Sequence, residues 1–277
     1  MHFDVRGLRL NALERGSGEP VLLLHGWLDH AHSFDRLAPL LPGRPLALDW
    51  RGHGDSAWAP EAGYYHMMEY VADLDRVVEL SGATRIVGHS MGATVALLYA
   101  AARPARVRHV TMIDGAPFTV APGEVPARVA AWLDDLRKPR TRRRVESVEG
   151  AAARLVRFNP TLPADIAALL AQHGVSADGD ALAWKWDPWL RGHSPLPMTE
   201  DVLQALVAEV RAPVLLIRGE KGMTSDEADL RARLARIPSL RIETIPGAGH
   251  HLHLEDAAAV AKLITRAWEG QGHSRID

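Results

Sequence analysis

Three short stretches hold the residue types that covalent chemistry needs. In "RIVGHSMGATVALLYAAA", residues 85–102, Ser90 stands between Gly88 and Gly92, where an apolar run meets a small-residue helical pattern. A G-x-S-x-G in that setting is what a sharp strand-to-helix turn requires, one that lifts a serine Oγ above the end of a sheet. Glycine is costly in regular structure, so two of them flanking a serine mark a place where backbone must come close. Serine is a weak nucleophile until a base takes its proton and a third group orients that base. The expected base is His250 in "IPGAGHHLHLED", residues 245–256, where two glycines lead out of the last strand pattern onto a loop; His251 and His253 are the alternatives. "LLLHGWLD" ends another apolar run, and there the backbone N–H of Trp27, beside Gly26, is expected to pair with that of Met91 as oxyanion donors. The chemistry these groups compose is acyl transfer through a serine.

A metal-based hydrolase is the competing reading, since His251 and His253 form an H-x-H pair and "DHAH" at 29–32 has similar spacing. No D-x-H or H-E-x-x-H pattern completes a ligand set, and a metal leaves the glycine-flanked serine unexplained, so no metal is expected. The absence of cysteine excludes disulfides, thiolate zinc sites and a cysteine nucleophile.

Strands and helices must alternate to bring these stretches together. "HFDVRGLRLNALERGSG" reads as two short strands turning at Gly7, and "PVLLLHG" as a strand buried on both faces. "SFDRLAPLL" has helical spacing, "PLALDW" follows as a strand, "MEYVADLDRVVELSG" as an amphipathic helix closed by Gly82, and "RIVG" as the next strand. After the helix Met91–Ala102 come strand "VRHVTMID" and, later, "PVLLIRG", helix "DEADLRARLARI", strand "LRIETIP" and a helix from Asp256. Between 117 and 204 the alternation stops. That stretch is expected to be a helical cap inserted into a core formed by 1–116 and 205–277. The arginine cluster "RKPRTRRR" within it reads as a solvated helix face, with the mouth of a site for acidic substrates as the alternative.

A net charge of −2 with scattered Lys and Arg offers no footprint for nucleic acid or an anionic membrane. The longest apolar stretch, Ala93–Ala102 with one threonine, falls well short of the ~20 residues of a membrane helix. "MHFDVRGLRLNALERGSGEP" lacks a basic start followed by an apolar segment, so a cytoplasmic monomer or homodimer acting on a small molecule is expected.

"HGW", "DWRGHGDS", "GHSMG" and "GAGH", in this order, resemble the α/β-hydrolase superfamily across nearly the whole chain. "DPWLRGHSPLPMTE" and "GHHLHLED" are similar to the serine hydrolase-like family that includes kraken-type proteins. The resemblance implies an α/β fold with a mostly parallel sheet of about eight strands, flanking helices, a helical cap, no cofactor, and Ser90 and His250 in the catalytic roles. "DWRGHGDS" is read as scaffold. Many members carry the catalytic acid after the penultimate strand as G-x-x-D, but "RGEKG" places Gly222 there. Asp114 is the expected substitute: it directly follows a strand and lies 24 residues beyond Ser90, room for one helix and one returning strand. Asp226 and Glu220 are the alternatives, and Asp226 has a ready role as a helix N-cap.

The expected reaction is hydrolysis of a carboxylic ester or thioester through an acyl-enzyme at Ser90. A serine rather than an aspartate at the turn argues against haloalkane or epoxide chemistry. Amide or carbon–carbon hydrolysis, perhydrolysis, or a ligand sensor that keeps the same residues are the alternatives. Trp27, Phe118, Trp184, Trp186 and Trp189 are expected to contact substrate, and the cap tryptophans, Trp132 among them, have a second role open to them as cap core.

Overall fold

The chain starts with a hairpin, β1 (His2–Val5) and β2 (Leu8–Glu14), closed at Gly7, whose φ of 82° suits glycine. The structure, a computed structural model, describes residues 1–195, 197–224 and 226–269. Mostly apolar runs supply β3 (Pro20–Leu24), β4 (Arg44–Leu48), β5 (Arg85–His89) and β6 (His109–Ile113). Alternate side chains serve opposite faces of the sheet: Leu22 and Leu24 join one buried cluster, Val21 and Leu23 the other. α1 (Met67–Ser81) buries Tyr70, Leu74, Val77 and Val78, and Gly82 ends it in the left-handed region with its N–H on the Val78 carbonyl, 2.9 Å away. In α2 (Met91–Ala102) every residue from Gly92 to Ala101 is buried, which accounts for a sequence that is small or apolar all round.

The insertion contains α3 (Val125–Asp135), β7 (Arg144–Val145), α4 (Val148–Phe158), α5 (Ala164–Gly174), β8 (Val175–Asp178) and β9 (Ala181–Trp184). It is therefore not wholly helical, because β7, β9 and β8 form a three-stranded antiparallel sheet in that order. Strands of four residues or fewer leave too short a period-2 signal to read from sequence. The core continues with α6 (Glu200–Val207), β10 (Val214–Gly219), α7 (Glu227–Arg233), β11 (Leu240–Ile245), the single turn α8 (Leu252–Glu255) and α9 (Ala257–Glu269). Leu203 and Val207 of α6, which spans residue 205, are fully buried against the cluster that includes α2. Among the described residues no helix is long and apolar enough to cross a membrane.

The main sheet has the order β1-β2-β4-β3-β5-β6-β10-β11, parallel from β4 to β11, with the β1–β2 hairpin antiparallel at one edge. From β3 the chain moves to β4 on one side, then crosses to β5 on the other. The crevice at the carboxyl ends of β3 and β5 is thus the topological switch point, where open α/β sheets bind ligands. α1 and α2 pack on one face of the sheet and α9 on the opposite face.

Two expected helical segments are otherwise. "SFDRLAPLL" forms two 3-10 turns, Ala31–Phe34 and Ala38–Leu40, because Pro39 brings no N–H to a longer helix. "RKPRTRRR" is no solvated helix face either: α3 stops at Asp135, no helix runs through 139–143, and Arg140 and Arg142 are partly buried while Arg137, Arg143 and Arg144 stay exposed. Arg140 donates to the Ala59 carbonyl (2.8 Å), lies over the Trp189 ring (4.5 Å) and pairs with the buried carboxylate of Asp187. Asp187 also accepts the Tyr65 hydroxyl (2.5 Å), and its N–H bonds the Gly52 carbonyl (2.8 Å). The insertion is pinned to the core at this point.

Removing one partner of a buried pair strands the other, so Asp187→Ala is expected to lower stability by about 3–5 kcal/mol in urea unfolding. Arg137→Ala, whose side chain is 77% exposed, is expected to change it by no more than about 0.5 kcal/mol. Equal effects would show that the Arg140–Asp187 pair does not hold the insertion down.

Candidate active site

Ser90 occupies the first position past β5 with φ 51° and ψ −114°, a conformation that non-glycine residues rarely adopt and that costs about 1–3 kcal/mol. Its N–H bonds the Ile113 carbonyl of β6 (2.9 Å), and its carbonyl accepts from Ala93 (3.1 Å) and Thr94 (3.3 Å) in α2. Its side chain makes no capping bond to the helix, so the hydroxyl is not spent on structure. The flanking glycines are steric necessities. A Cβ at Gly88 would strike the Gly92 carbonyl, one at Gly92 the Leu24 carbonyl, and one at Gly115 would lie 2.6 Å from Ser90 Cα. Gly115 escaped the sequence reading, although its place directly after Asp114 was visible.

His250, on the loop between β11 and α8, has its Nδ1 2.6 Å from Asp114 Oδ2. A carboxylate can only accept, so Nδ1 carries the proton and Nε2 keeps a lone pair. Asp114 ends β6, is 1% exposed, and accepts three further donors: Met223 N–H at 2.7 Å, Thr224 Oγ1 at 3.0 Å and Gly219 N–H at 3.2 Å. Gly222 leaves the space that Asp114 fills: a Cβ there would collide with the Asp114 carboxylate. The alternatives are engaged elsewhere. Asp226 caps α7 by accepting the Asp229 N–H (3.0 Å), and Glu220 accepts the Gly247 N–H (2.7 Å).

The loop after β3 lies against this turn, since a Cβ on Gly26 would sit 3.2 Å from Ser90 Cβ. Trp27 follows it, and Met91 heads α2, where a backbone N–H has no acceptor within the helix. His25, a positioning residue that the sequence reading passed over, holds the loop. It donates from Nδ1 to the Gly26 carbonyl (2.7 Å) and accepts the Trp50 N–H at Nε2 (3.1 Å), while Trp50 Nε1 donates to the His25 carbonyl (3.1 Å). Burial lowers His25 to about 3, which keeps the ring neutral and this pattern intact. In "DWRGHGDS" the Asp49 carboxylate accepts from Ala31 N–H (2.7 Å) and Asn11 Nδ2 (2.8 Å), a scaffold role.

Two cavities meet at Ser90 and His250. The wider, of ≈ 490 Å³, is lined by Trp27, Met91, Phe118 and Met223, with Arg233 at its margin. The narrower, of ≈ 350 Å³, runs beneath the insertion past Leu155, Leu162 and Trp184. Trp186 and Trp189, expected to contact substrate, line neither. Trp186 is buried beside Trp184 with ring centroids 6.1 Å apart, and Trp189 packs under Arg140 near Tyr64, away from the serine. Their indoles are large enough to serve as the insertion's own core. Trp132 packs near Tyr64 and His66.

Residues 19–257 match the α/β hydrolase fold family. The chain is 30% identical to a serine hydrolase-like protein of Danio rerio, over 90% of this chain and 81% of that one. It is also 30% identical to 2-(acetamidomethylene)succinate hydrolase of Mesorhizobium japonicum, over 95% and 92% of the two chains. The solved structure of a hypothetical protein from Pseudomonas aeruginosa PAO1 superposes with a TM-score of 0.86 at 35% identity, covering 98% of both chains. With the parallel sheet, the strained serine turn and these matches over most of its length, the chain belongs to the α/β-hydrolase fold family, among its serine hydrolase-like members.

Proposed function

We propose that this protein hydrolyses a carboxylic ester or thioester of a small molecule through an acyl-enzyme on Ser90. The observation that carries the reading is the 2.6 Å bond from His250 Nδ1 to Asp114, which leaves Nε2 as a base at a cavity shared with the strained serine. His250 takes the Ser90 proton as Oγ attacks the carbonyl, then returns it to the leaving alcohol or thiol. A water molecule activated by the same nitrogen releases the acid. Asp114 holds the ring in the required tautomer and stabilises the imidazolium that forms. The N–H groups of Trp27 and Met91 receive the oxyanion, aided by the positive end of α2. The two apolar arms suit the two halves of an ester, with Phe118 contacting one half, Trp184 the other and Trp27 bordering both.

A fluorophosphonate probe is expected to label Ser90 in the native protein and to leave Ser90→Ala unlabelled; labelling that persists in the variant would remove Ser90 from the nucleophile's role. Asp114→Asn is expected to lower kcat by on the order of 10⁴, the loss seen when the serine-protease acid is replaced. Asp226→Ala should instead leave kcat within a few-fold and cost about 1 kcal/mol of stability through the lost cap. The reverse pattern would move the acid to the loop before α7. Phe118→Ala and Trp184→Ala are expected to change selectivity between short and long acyl or alkyl groups, whereas Trp186→Ala lowers the melting temperature without shifting selectivity. A selectivity change confined to Trp186→Ala would place the binding arms elsewhere.

A further inference from the structure

Beside Ser90, three side chains turn polar atoms toward one another with nothing between them. Asp29, His89 and His251 come from the loop after β3, the end of β5 and the loop after β11, and each offers a ligand atom within 4.8 Å of the other two. Asp29 Oδ2 and His89 Nδ1 are enclosed and have no hydrogen-bond partner among the described residues. His251 Nε2 lies 3.8 Å from Asp29 Oδ2. Burying such atoms unmatched costs about 1–3 kcal/mol each, more for a charged group, so the cluster is built for something that satisfies them together.

Its chemistry is specific. His89 Nε2 is 3.0 Å from the His250 carbonyl, which can only accept; that nitrogen therefore carries the proton, and Nδ1 presents a lone pair. An imidazole held through its far N–H by a carbonyl, with the near nitrogen bare, is the usual state of a metal ligand. Asp29 has no Lys or Arg within ion-pair distance among the described residues. The cluster is short of a cation. The other grouping of this kind, His32, Asp35 and His173, is already satisfied: His32 Nδ1 bonds Asp35 at 2.8 Å, and the two rings stack at 3.6 Å.

We propose that Asp29, His89 and His251 bind a divalent transition-metal ion of the zinc type, and that its occupancy inhibits the hydrolase. Two imidazoles and a carboxylate are a sufficient protein set for tetrahedral zinc, whose ligand atoms stand roughly 3.4 Å apart, close to the 3.8 Å seen between Asp29 and His251. All three residues line the narrower cavity together with Ser90 and His250, so the fourth position on the ion opens into the arm that takes part of the substrate. The ion and its water take up the part of that arm beside Ser90 and anchor, through His89, the backbone carrying His250. The site stands on geometry alone; its inhibitory effect rests on the proposed serine hydrolase activity.

Isothermal titration with Zn²⁺ and the visible spectrum with Co²⁺ test the site without reference to turnover. Wild-type protein is expected to bind one ion per chain with a tetrahedral-type cobalt spectrum. Asp29→Asn and His251→Gln, each checked for native circular dichroism, should weaken binding by more than about 100-fold, the upper end of what losing an outer-shell partner costs. His250→Ala should retain it. Zn²⁺ is expected to slow fluorophosphonate labelling of Ser90 in wild type and not in those two variants. Absence of binding in wild type, unchanged binding in both variants, or loss of binding in His250→Ala overturns the site. Binding that leaves labelling unaffected overturns the inhibition. If Ser90 is not labelled even without metal, the hydrolase reading fails, and the titration still decides the site.

Discussion

The site depends on a backbone turn with no spare volume. Ser90 is held at φ 51° because β5 must stop, reverse and enter α2 within one residue, while staying hydrogen-bonded to β6 through its own N–H. That turn exists only because the positions around it lack side chains: Gly88 against Gly92, Gly92 against Leu24, and Gly115 against Ser90. A strained residue persists when its surroundings over-determine it, and here they are a central strand and a helix buried along nearly their whole length. Rigidity at Ser90 is thus supplied by the core and not by the loop itself.

The same exclusion of volume decides where the carboxylate stands. Asp114 and a side chain at position 222 compete for one space, and with glycine at 222 the end of β6 supplies the carboxylate. Four donors, from His250, Met223, Thr224 and Gly219, converge on it. Charge-assisted bonds of this kind fix geometry as well as energy, so the loop ahead of α7 is tied to β6 and β11 through one buried carboxylate. An acid on the strand end has its backbone set by the sheet, whereas one on the following loop depends on that loop's order.

Burial sorts the histidines by role. His25, His89 and His251 are all driven toward the neutral ring, yet one braces the Trp27 loop while the other two face Asp29 with free nitrogens. His250 differs in having a buried carboxylate as its partner. Four residues of one type, all close to Ser90, therefore differ in function through what lies within about 3 Å of each nitrogen.

The strand–helix alternation, the G-x-S-x-G junction around Ser90 and the glycine-led loop carrying His250 were legible in the sequence, because each is encoded in local spacing and in residues whose backbone preferences are strong. Asp114 was legible as the residue ending a strand, with Gly222 as the hint that the usual position was empty. The inward turn of Arg140, the small sheet in the insertion and the fact that Trp184 lines a cavity while Trp186 and Trp189 do not were not legible, since each depends on which distant surface a side chain meets. So does the Asp29–His89–His251 cluster, whose members lie far apart in sequence and share no spacing rule. Local spacing alone was enough for the strands of the main sheet, for the larger helices between them and for their order along the chain. Only the tertiary structure decided which carboxylate reached which imidazole, because a hydrogen bond or a ligand set is a matter of a few ångströms between segments that the chain's linear order does not constrain.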